Sequence, residues 1–222
     1  MTLKEGLQII RGIPNIPFEK IFNEHELLNI SLNKGRTGQL LETVILLLNL
    51  SNTQLDFSDG ELKTNKCKSN GMPSETVAVC QISSLFDNMI NTNNYDYTNN
   101  YIMNKLANML YVRVDKSNPN PNKWKFLTPI HVSRNNSKYF EWYNKVEKDL
   151  YFICNNMKIA CENGLQLTSS RSTGHYIQIR PKDSKPYHGI YSHIYNRYVS
   201  DKNYAIYITT EGLKKLIKIS ME

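Results

Sequence analysis

The sequence predicts an α/β fold in which a mixed central sheet is flanked by helices. Hydrophobic residues recur with helical spacing in residues 138–162, which indicates a helix with one buried face. Short segments such as residues 75–82 and 109–114 are rich in alternating β-branched residues, as is typical of strands. The chain has 222 residues, enough for one domain with a substantial core and for a division into two lobes.

Charge and cysteine content limit the class of protein. Lys and Arg total 27 against 20 Asp and Glu, and this surplus of +7 is typical of a protein that binds a polyanion such as nucleic acid. A lysine-rich proteome would give the same surplus. The four cysteines lack the Cys-x-x-Cys spacing of zinc sites, so reduced thiols in the cytoplasm are expected. No apolar run has the length of a membrane span and no signal-peptide core is present, so a cytoplasmic protein without a membrane partner is expected.

Two helices are predicted near the start, over residues 18–30 and 39–50. The polar turn at residues 33–38 separates them, and Thr37 is predicted to cap the second. That second helix is apolar almost all round and should be buried, with Glu42 as its only charge. A buried carboxylate requires a partner or a metal, whereas a partly exposed acid in the first turn is stabilised by the helix dipole. The pattern leaves both possibilities open for Glu42.

Residues 55–63, with the sequence Leu-Asp-Phe-Ser-Asp-Gly-Glu-Leu-Lys, carry the densest candidate chemistry. The turn residues 58–60 are predicted to join two short strands. Alternate residues of a strand share a face, so Glu61 and Lys63 should point the same way, and Asp56 can return to that edge across the turn. Two carboxylates and an ammonium suit Mg²⁺ and phosphodiester hydrolysis. A solvated hairpin is the alternative, because such a pattern also arises by chance.

The middle of the chain continues the alternation of strands and connections. Residues 75–82 are predicted as a central strand, and the polar residues 91–100 as an exposed loop. Residues 109–114 form the next predicted strand, with Lys105 at its mouth. The turn-rich residues 115–125 are the predicted boundary between the lobes.

The boundary at residues 115–125 divides one predicted domain, 1–222, into two lobes of about residues 1–118 and about residues 119–222. The helix at residues 138–162 belongs to the second lobe and is predicted to end at Gly164.

A strand over residues 174–182 is predicted to end in a basic tip. Arg180 and Lys182 flank Pro181, which fixes the backbone there. Arginine can read guanine as a bidentate donor, so this tip suits a loop that lies in a DNA groove. An ordinary charged surface hairpin is the alternative.

The remaining segments follow in order. Residues 186–198 are rich in Tyr and His, which can lie along nucleic acid or can form a loop packed on itself; the packed loop is favoured for the two histidines. Residues 204–208 are predicted as a strand. Thr209 or Thr210 is predicted to cap a last helix over residues 211–219.

Several of these segments resemble the MutH mismatch-repair endonuclease and the type II restriction enzymes related to it that cut at GATC. The matches run in the family's order and span roughly residues 33–217. They are Lys34-Gly35-x-x-Gly38-Gln39-Leu40-Leu41-Glu42, Asp56-Phe57, Glu61-Leu62-Lys63-Thr64, Gly71-x-Pro73-x-Glu75-Thr76 with Val79-Cys80, Lys105-Leu106, Tyr176-x-Gln178-Ile179-Arg180-Pro181-Lys182, and Tyr207.

The resemblance implies a PD-(D/E)xK nuclease fold, with two lobes around a cleft for double-stranded DNA and a requirement for Mg²⁺. By the resemblance, residues 1–222 would be one nuclease domain, with a catalytic lobe over about residues 1–118 and a DNA-recognition lobe over about residues 119–222. By the same resemblance, the metal ligands would be Glu42, Asp56 and Glu61. Lys63 would act on the attacking water, and Lys105 would support the scissile phosphate. The implied DNA-binding residues are Lys34, Gly35, Arg180, Pro181, Lys182 and Tyr207.

The chain departs from the family pattern in two places. The link from Asp56 to Glu61 is shorter than in MutH, so Asp59 competes with Asp56 as a metal ligand. Residues 183–203 match poorly and could alter the DNA sequence that is recognised.

The expected function is therefore that of a type II site-specific deoxyribonuclease, which hydrolyses DNA at GATC or a similar short site with Mg²⁺. The first alternative is a MutH-like, methyl-directed repair nickase activated by partner proteins. The second is a DNA-binding module without catalysis, which the intact set of carboxylates disfavours. A monomer is expected, and a dimer is left open.

Overall fold

The computed structural model describes residues 1–32, 36–45, 55–169 and 173–222, and within them the chain is a mixed α/β structure, as predicted. The helices are α1 (Leu3–Ile10), α2 (Glu24–Leu32), α3 (Arg36–Val44), α4 (Phe86–Ile90), α5 (Tyr101–Leu106), α6 (Phe140–Glu162) and α7 (Thr210–Met221). The strands are β1 (Glu61–Cys67), β2 (Val77–Gln81), β3 (Asn108–Asp115), β4 (Lys125–Phe126), β5 (Ile130–Ser133), β6 (Ile177–Pro181), β7 (Ile190–Ser192), β8 (Arg197–Ser200) and β9 (Tyr204–Ile208). None of these helices is both long enough and apolar enough to cross a membrane.

The chain forms two compact units. The first comprises Met1–Val77, Lys105–Asn136 and Ile217–Glu222, and the second comprises Ala78–Asn104 and Ser137–Leu216. Each unit is therefore assembled from segments that are distant in sequence.

The first unit is organised around β3. On one side, β1 pairs with β3 in parallel, with Glu61 opposite Met109. On the other side, β4 and β5 pair antiparallel with opposite ends of β3, which makes a mixed four-stranded sheet. The interior of β3 is buried on both faces, as is expected of a central strand.

A hydrophobic core joins this sheet to the amino-terminal helices. Leu62, Leu110 and Val112 of the sheet belong to one buried cluster with side chains of α1 and α3. Close packing of α3 on β1 depends on Gly38, because a Cβ there would lie only 3.1 Å from Thr64 Oγ1. This packing sets α3 against the strand that begins with Glu61.

The turn before β1 has no room for a side chain at Gly60. A Cβ there would lie 2.5 Å from the backbone oxygen of Asn108 and 2.8 Å from a methyl group of Leu3. We therefore expect Gly60→Ala to lower the free energy of unfolding by about 1–3 kcal/mol. Gly12→Ala is the matched control, since a Cβ there would lie 3.8 Å from the backbone oxygen of Ile9, an ordinary van der Waals distance. Urea denaturation would measure both, and equal stability of the two variants would contradict the packing described here.

The second unit contains a three-stranded sheet in which β9 lies between β2 and β6, and a separate hairpin of β7 and β8. The predicted stripe on α6 is buried as expected, from Tyr143 to Ala160. The helix ends at Glu162, and Gly164 follows it with a φ of +70°, the left-handed conformation that glycine adopts readily just after a helix. Thr209 caps α7 by accepting a hydrogen bond from Gly212 N at 3.0 Å, which confirms one of the two predicted caps.

Two predictions near the start of the chain were wrong. Residues 18–30 do not form one helix, because Asn23 and Glu26 exchange side-chain and backbone hydrogen bonds and start α2 anew. Thr37 does not cap α3, which already begins at Arg36; its buried hydroxyl accepts a hydrogen bond from Lys116 Nζ at 2.6 Å. Residues 46–50 of the predicted second helix lie outside the described part of the chain.

Two predictions about strands also need correction. Residues 55–60 form no strand and make only an isolated bridge between Phe57 and Gly60, so the predicted hairpin is a loop leading into β1. In its three-stranded sheet β2 is not central, because β9 occupies that position. Residues 186–198, for which a packed loop was one of the two possibilities, contain β7 and the start of β8.

Candidate active site

Four of the predicted catalytic side chains come together at the start of β1. Glu61 is 2% exposed, and its carboxylate binds two ammonium groups at once. Lys63 Nζ donates to Glu61 Oε2 at 2.5 Å, and Lys105 Nζ donates to Glu61 Oε1. Asp56 lies close to Glu61, because the Glu61 charge adds to the effect of burial in raising the pKa of Asp56. The four residues form a carboxylate–lysine cluster in which Glu61 and Lys105 are buried and Asp56 and Lys63 are partly exposed, hereafter the Glu61 cluster.

Each member of the Glu61 cluster is positioned by local structure. Glu61 and Lys63 are two residues apart on β1, so they share a face as predicted, while Leu62 between them is buried in the core. Asp56 is held in the loop because its Oδ2 accepts a hydrogen bond from Leu62 N at 2.8 Å. Lys105 lies in the last turn of α5, shortly before β3 begins. The sequence predicted it at this end of the strand.

Asp59 is engaged elsewhere. Its Oδ1 accepts a hydrogen bond from Leu3 N at 2.7 Å at the start of α1, and its backbone oxygen accepts one from Asn108 Nδ2 at 2.7 Å. The geometry therefore favours Asp56 over Asp59 as the partner of Glu61.

Burial dominates the electrostatics of two carboxyl groups at this site, Asp56 of the Glu61 cluster and the nearby Glu42. Burial raises the pKa of Asp56 to about 6; the Glu61 charge adds to the rise, and Lys63 opposes it. Burial also raises the pKa of the half-buried Glu42, again against the charge of Lys63. Glu61 has both lysines within bonding distance. Additional positive charge beside Asp56 would favour its ionised form.

The donor set fits Mg²⁺ with two protein ligands. Mg²⁺ is usually bound through one or two carboxylates and keeps several waters. Asp56 and Glu61 supply two such carboxylates, and the raised pKa of Asp56 comes mainly from burial, with the Glu61 charge adding to it. In the described ranges no three His, Cys, Asp or Glu side chains gather to hold a metal, so the role of Glu42 as third ligand stays a prediction.

The predicted DNA-reading residues that the structure describes lie together in the second unit. Arg180 and Pro181 end β6, which pairs antiparallel with β9 so that Gln178 is opposite Tyr207. The Arg180 guanidinium lies 5.8 Å from the centre of the Tyr207 ring, within the range of a cation–π contact. Arg180, Pro181 and Lys182 are all exposed. The other two predicted DNA-binding residues, Lys34 and Gly35, lie outside the described residues.

Sequence reasoning missed two residues that organise these regions. Asn108 joins the loop before β1 to His131, because its Oδ1 lies 2.7 Å from His131 Nε2 while its Nδ2 holds Asp59. Asp183 accepts backbone hydrogen bonds from Ser184, His188 and Asn203, and so fixes the chain just beyond Lys182. The only sequence signal for either was a short polar side chain beside a predicted strand.

Comparison with known proteins adds no assignment. No protein-family model matches the chain, and no curated protein matches it. The site residues themselves therefore carry the functional argument.

Proposed function

We propose that this protein is a Mg²⁺-dependent, sequence-specific DNA endonuclease with a PD-(D/E)xK fold that resembles MutH, and that it acts as a type II restriction enzyme. One observation carries the proposal. Four residues that the sequence predicted for this chemistry, from positions 56 to 105, form a single cluster around the buried Glu61. The cluster lies at the start of a strand of the sheet. Its carboxylates can bind a metal ion and its lysines can stabilise negative charge, which suits phosphodiester hydrolysis.

The residues of the Glu61 cluster have different roles in the proposed reaction. Asp56 and Glu61 would hold Mg²⁺, which when bound polarises a phosphate and acidifies a water. Lys63 has a side chain 14% exposed, against 6% for Lys105. Its ammonium is therefore the better placed to meet solvent, orient the attacking water and stabilise developing charge.

Lys105 is buried against Glu61, which supports a role in holding that carboxylate in place. Its contact with the scissile phosphate stays a prediction. Because both lysines bind Glu61, its negative charge is shared, and the two ammonium groups lie where they limit free movement of the carboxylate.

Sequence selection belongs to the exposed end of β6 in this proposal. An arginine beside an aromatic ring is held in a restricted orientation, and a guanidinium can donate two hydrogen bonds to guanine. Arg180 has that arrangement beside Tyr207. The surplus of +7 over the whole chain favours a polyanionic substrate.

Digestion of one plasmid tests the proposal. Pure protein would be incubated with Mg²⁺ and the plasmid, prepared with and without adenine methylation at GATC, and the ends would be mapped by sequencing. We expect discrete cuts at GATC or another short site, lost when EDTA replaces Mg²⁺. Slow nicking only would favour the repair nickase, and binding without any cutting would favour a non-catalytic module.

Replacing Arg180 should change selectivity rather than general affinity. We expect Arg180→Ala to reduce discrimination between the cut site and sites with one altered base pair by about 1–3 kcal/mol, the value of one bidentate base contact. Competition binding in EDTA would measure it, with Lys182→Ala as the matched neighbouring cation. An equal loss of affinity for all sequences would assign Arg180 to the phosphate backbone.

A further inference from the structure

The hairpin of β7 and β8 has an unusual composition. Neither the chemistry proposed for the Glu61 cluster nor the base recognition proposed for the exposed end of β6 accounts for it. Residues 184–200 contain four tyrosines, two histidines, Lys185 and Arg197, and they contain no carboxylate side chain. In a chain with 20 acidic residues, this stretch is rich in aromatic rings; Asp183 and Asp201 flank it, and Asp183 Oδ1 lies 3.1 Å from His188 Nδ1.

Large apolar groups of this stretch face solvent. Tyr198 is 62% exposed, Ile194 is 55% exposed and Tyr187 is 45% exposed. A positive charge lies beside one of these rings: Lys202 Nζ is 4.7 Å from the centre of the Tyr187 ring. The hairpin therefore presents aromatic faces and positive charge together, and this surface is hereafter the aromatic hairpin surface.

The surface is built on a rigid support. Tyr191 packs edge-to-face against both Tyr198 and His193, with ring centres 5.2 Å apart in each pair. Asp87 of α4 anchors the strand beneath, since it accepts hydrogen bonds from Ser192 Oγ at 2.6 Å and from His193 N at 2.8 Å.

The second strand of the hairpin is also tied down. Arg197 Nη2 donates to the backbone oxygen of Cys161 at 3.0 Å, and Leu167 N donates to Val199 O at 3.0 Å. The exposed rings are therefore held in place in the free protein. This lowers the entropic cost of binding a partner.

We infer that the aromatic hairpin surface is a second DNA-binding surface, which contacts the sugar–phosphate backbone of duplex DNA outside the base pairs that are recognised. The inference rests on the proposed nuclease function and goes beyond it. Tyrosine hydroxyls can hydrogen-bond to phosphate and sugar, while lysines neutralise phosphates without reading sequence. No acidic side chain within residues 184–200 repels a polyanion, and the flanking Asp183 is engaged by the backbone N–H groups of His188 and Asn203, which leaves Asp201 as the carboxylate next to Lys202.

Binding to duplexes of two lengths tests the inference. One duplex would carry the mapped site with little flanking sequence, the other with long flanks, and fluorescence anisotropy would be recorded in EDTA. The wild type should bind the longer duplex more tightly. Tyr198→Ala should lose about fivefold of affinity for the longer duplex and little for the shorter one. Lys202→Ala should reduce the slope of log affinity against log salt by about one, the effect of one lost phosphate contact.

Tyr151→Ala is the matched control, because this tyrosine is similarly exposed, at 55%, on α6. It should bind both duplexes as the wild type does. Thermal melting would verify that the three variants are folded.

The possible failures are distinguishable. A wild type that binds and cuts DNA while Tyr198→Ala and Lys202→Ala match it on both duplexes would overturn this inference alone. A wild-type protein that self-associates through Tyr198 in sedimentation, with no flank effect on DNA binding, would also overturn it and assign the surface to a second copy. A wild type that binds no DNA would refute the proposed function as well.

Discussion

Glu61→Gln should abolish DNA cleavage, by about 10³-fold or more, and leave specific DNA binding largely intact. The amide cannot supply the negative charge that holds a divalent cation, and it no longer balances Lys63 and Lys105. The exposed end of β6, which is proposed to read the DNA, belongs to the second unit and is not altered by this substitution. Single-turnover cleavage with Mg²⁺ and anisotropy in EDTA would measure the two properties on the same preparation.

A second variant separates chemistry from folding. Breaking a buried ion pair leaves an uncompensated charge and costs about 3–5 kcal/mol of stability. Combining Glu61→Gln with Lys105→Met removes one buried ammonium together with the carboxylate, so the double variant should recover part of the stability and still fail to cut. Cleavage by either folded protein at the wild-type rate would remove Glu61 from the catalytic site.

Asp56→Asn should make the protein more stable at neutral pH and inactive. The pKa of Asp56 is raised from its ordinary 3.8 to about 6 in the folded protein, so the folded state disfavours the ionised form. A raised pKa contributes stability that is fully present below about pH 4 and is lost as the pH rises through 6. Asparagine retains an oxygen for the Leu62 N–H group and carries no charge at any pH.

Urea denaturation at several pH values would measure this effect. Asp56→Asn and the wild type should be equally stable near pH 4. The variant should be about 2–3 kcal/mol more stable above pH 7, from the difference between the two pKa values. Asp59→Asn is the control from the same loop. If Asp59→Asn abolished cleavage and Asp56→Asn did not, the assignment of the metal ligand would be reversed.

The sequence predicted the Glu61 cluster because its main relationships are local. Two residues of one strand share a face by the geometry of the backbone, so Glu61 and Lys63 needed no knowledge of the fold. Asp56 is only a short loop away. Lys105 is 44 residues from Glu61, and only the resemblance to the MutH family joined them.

Other features were local and were still missed. Helix α1 begins with a capping box between Thr2 and Glu5, a pattern that the sequence displays. The break before α2 follows the same rule at Asn23 and Glu26. In both cases hydrogen bonding at the helix start decided the boundary, whereas hydrophobic spacing alone did not.

The remaining features depend on contacts between distant residues. Strands β4 and β5 have only two and four residues. They are extended because their backbones pair with opposite ends of β3. Asn108 holds Asp59 from 49 residues away, and Asp87 anchors the β7–β8 hairpin from more than 100 residues away. Such pairings follow from the tertiary structure, so spacing along the chain could not reveal them.

The central claim is that Asp56 and Glu61 hold a divalent cation, and metal binding tests it most directly. Mn²⁺ would replace Mg²⁺, because its electron paramagnetic resonance signal reports the free ion, and the titration would use protein alone at pH 7.5. We predict that the wild type binds Mn²⁺ and that Glu61→Gln and Asp56→Asn bind it much more weakly, while Asp59→Asn binds it as the wild type does. Equal binding curves for the wild type and Glu61→Gln, or no binding by the wild type, would contradict the claim.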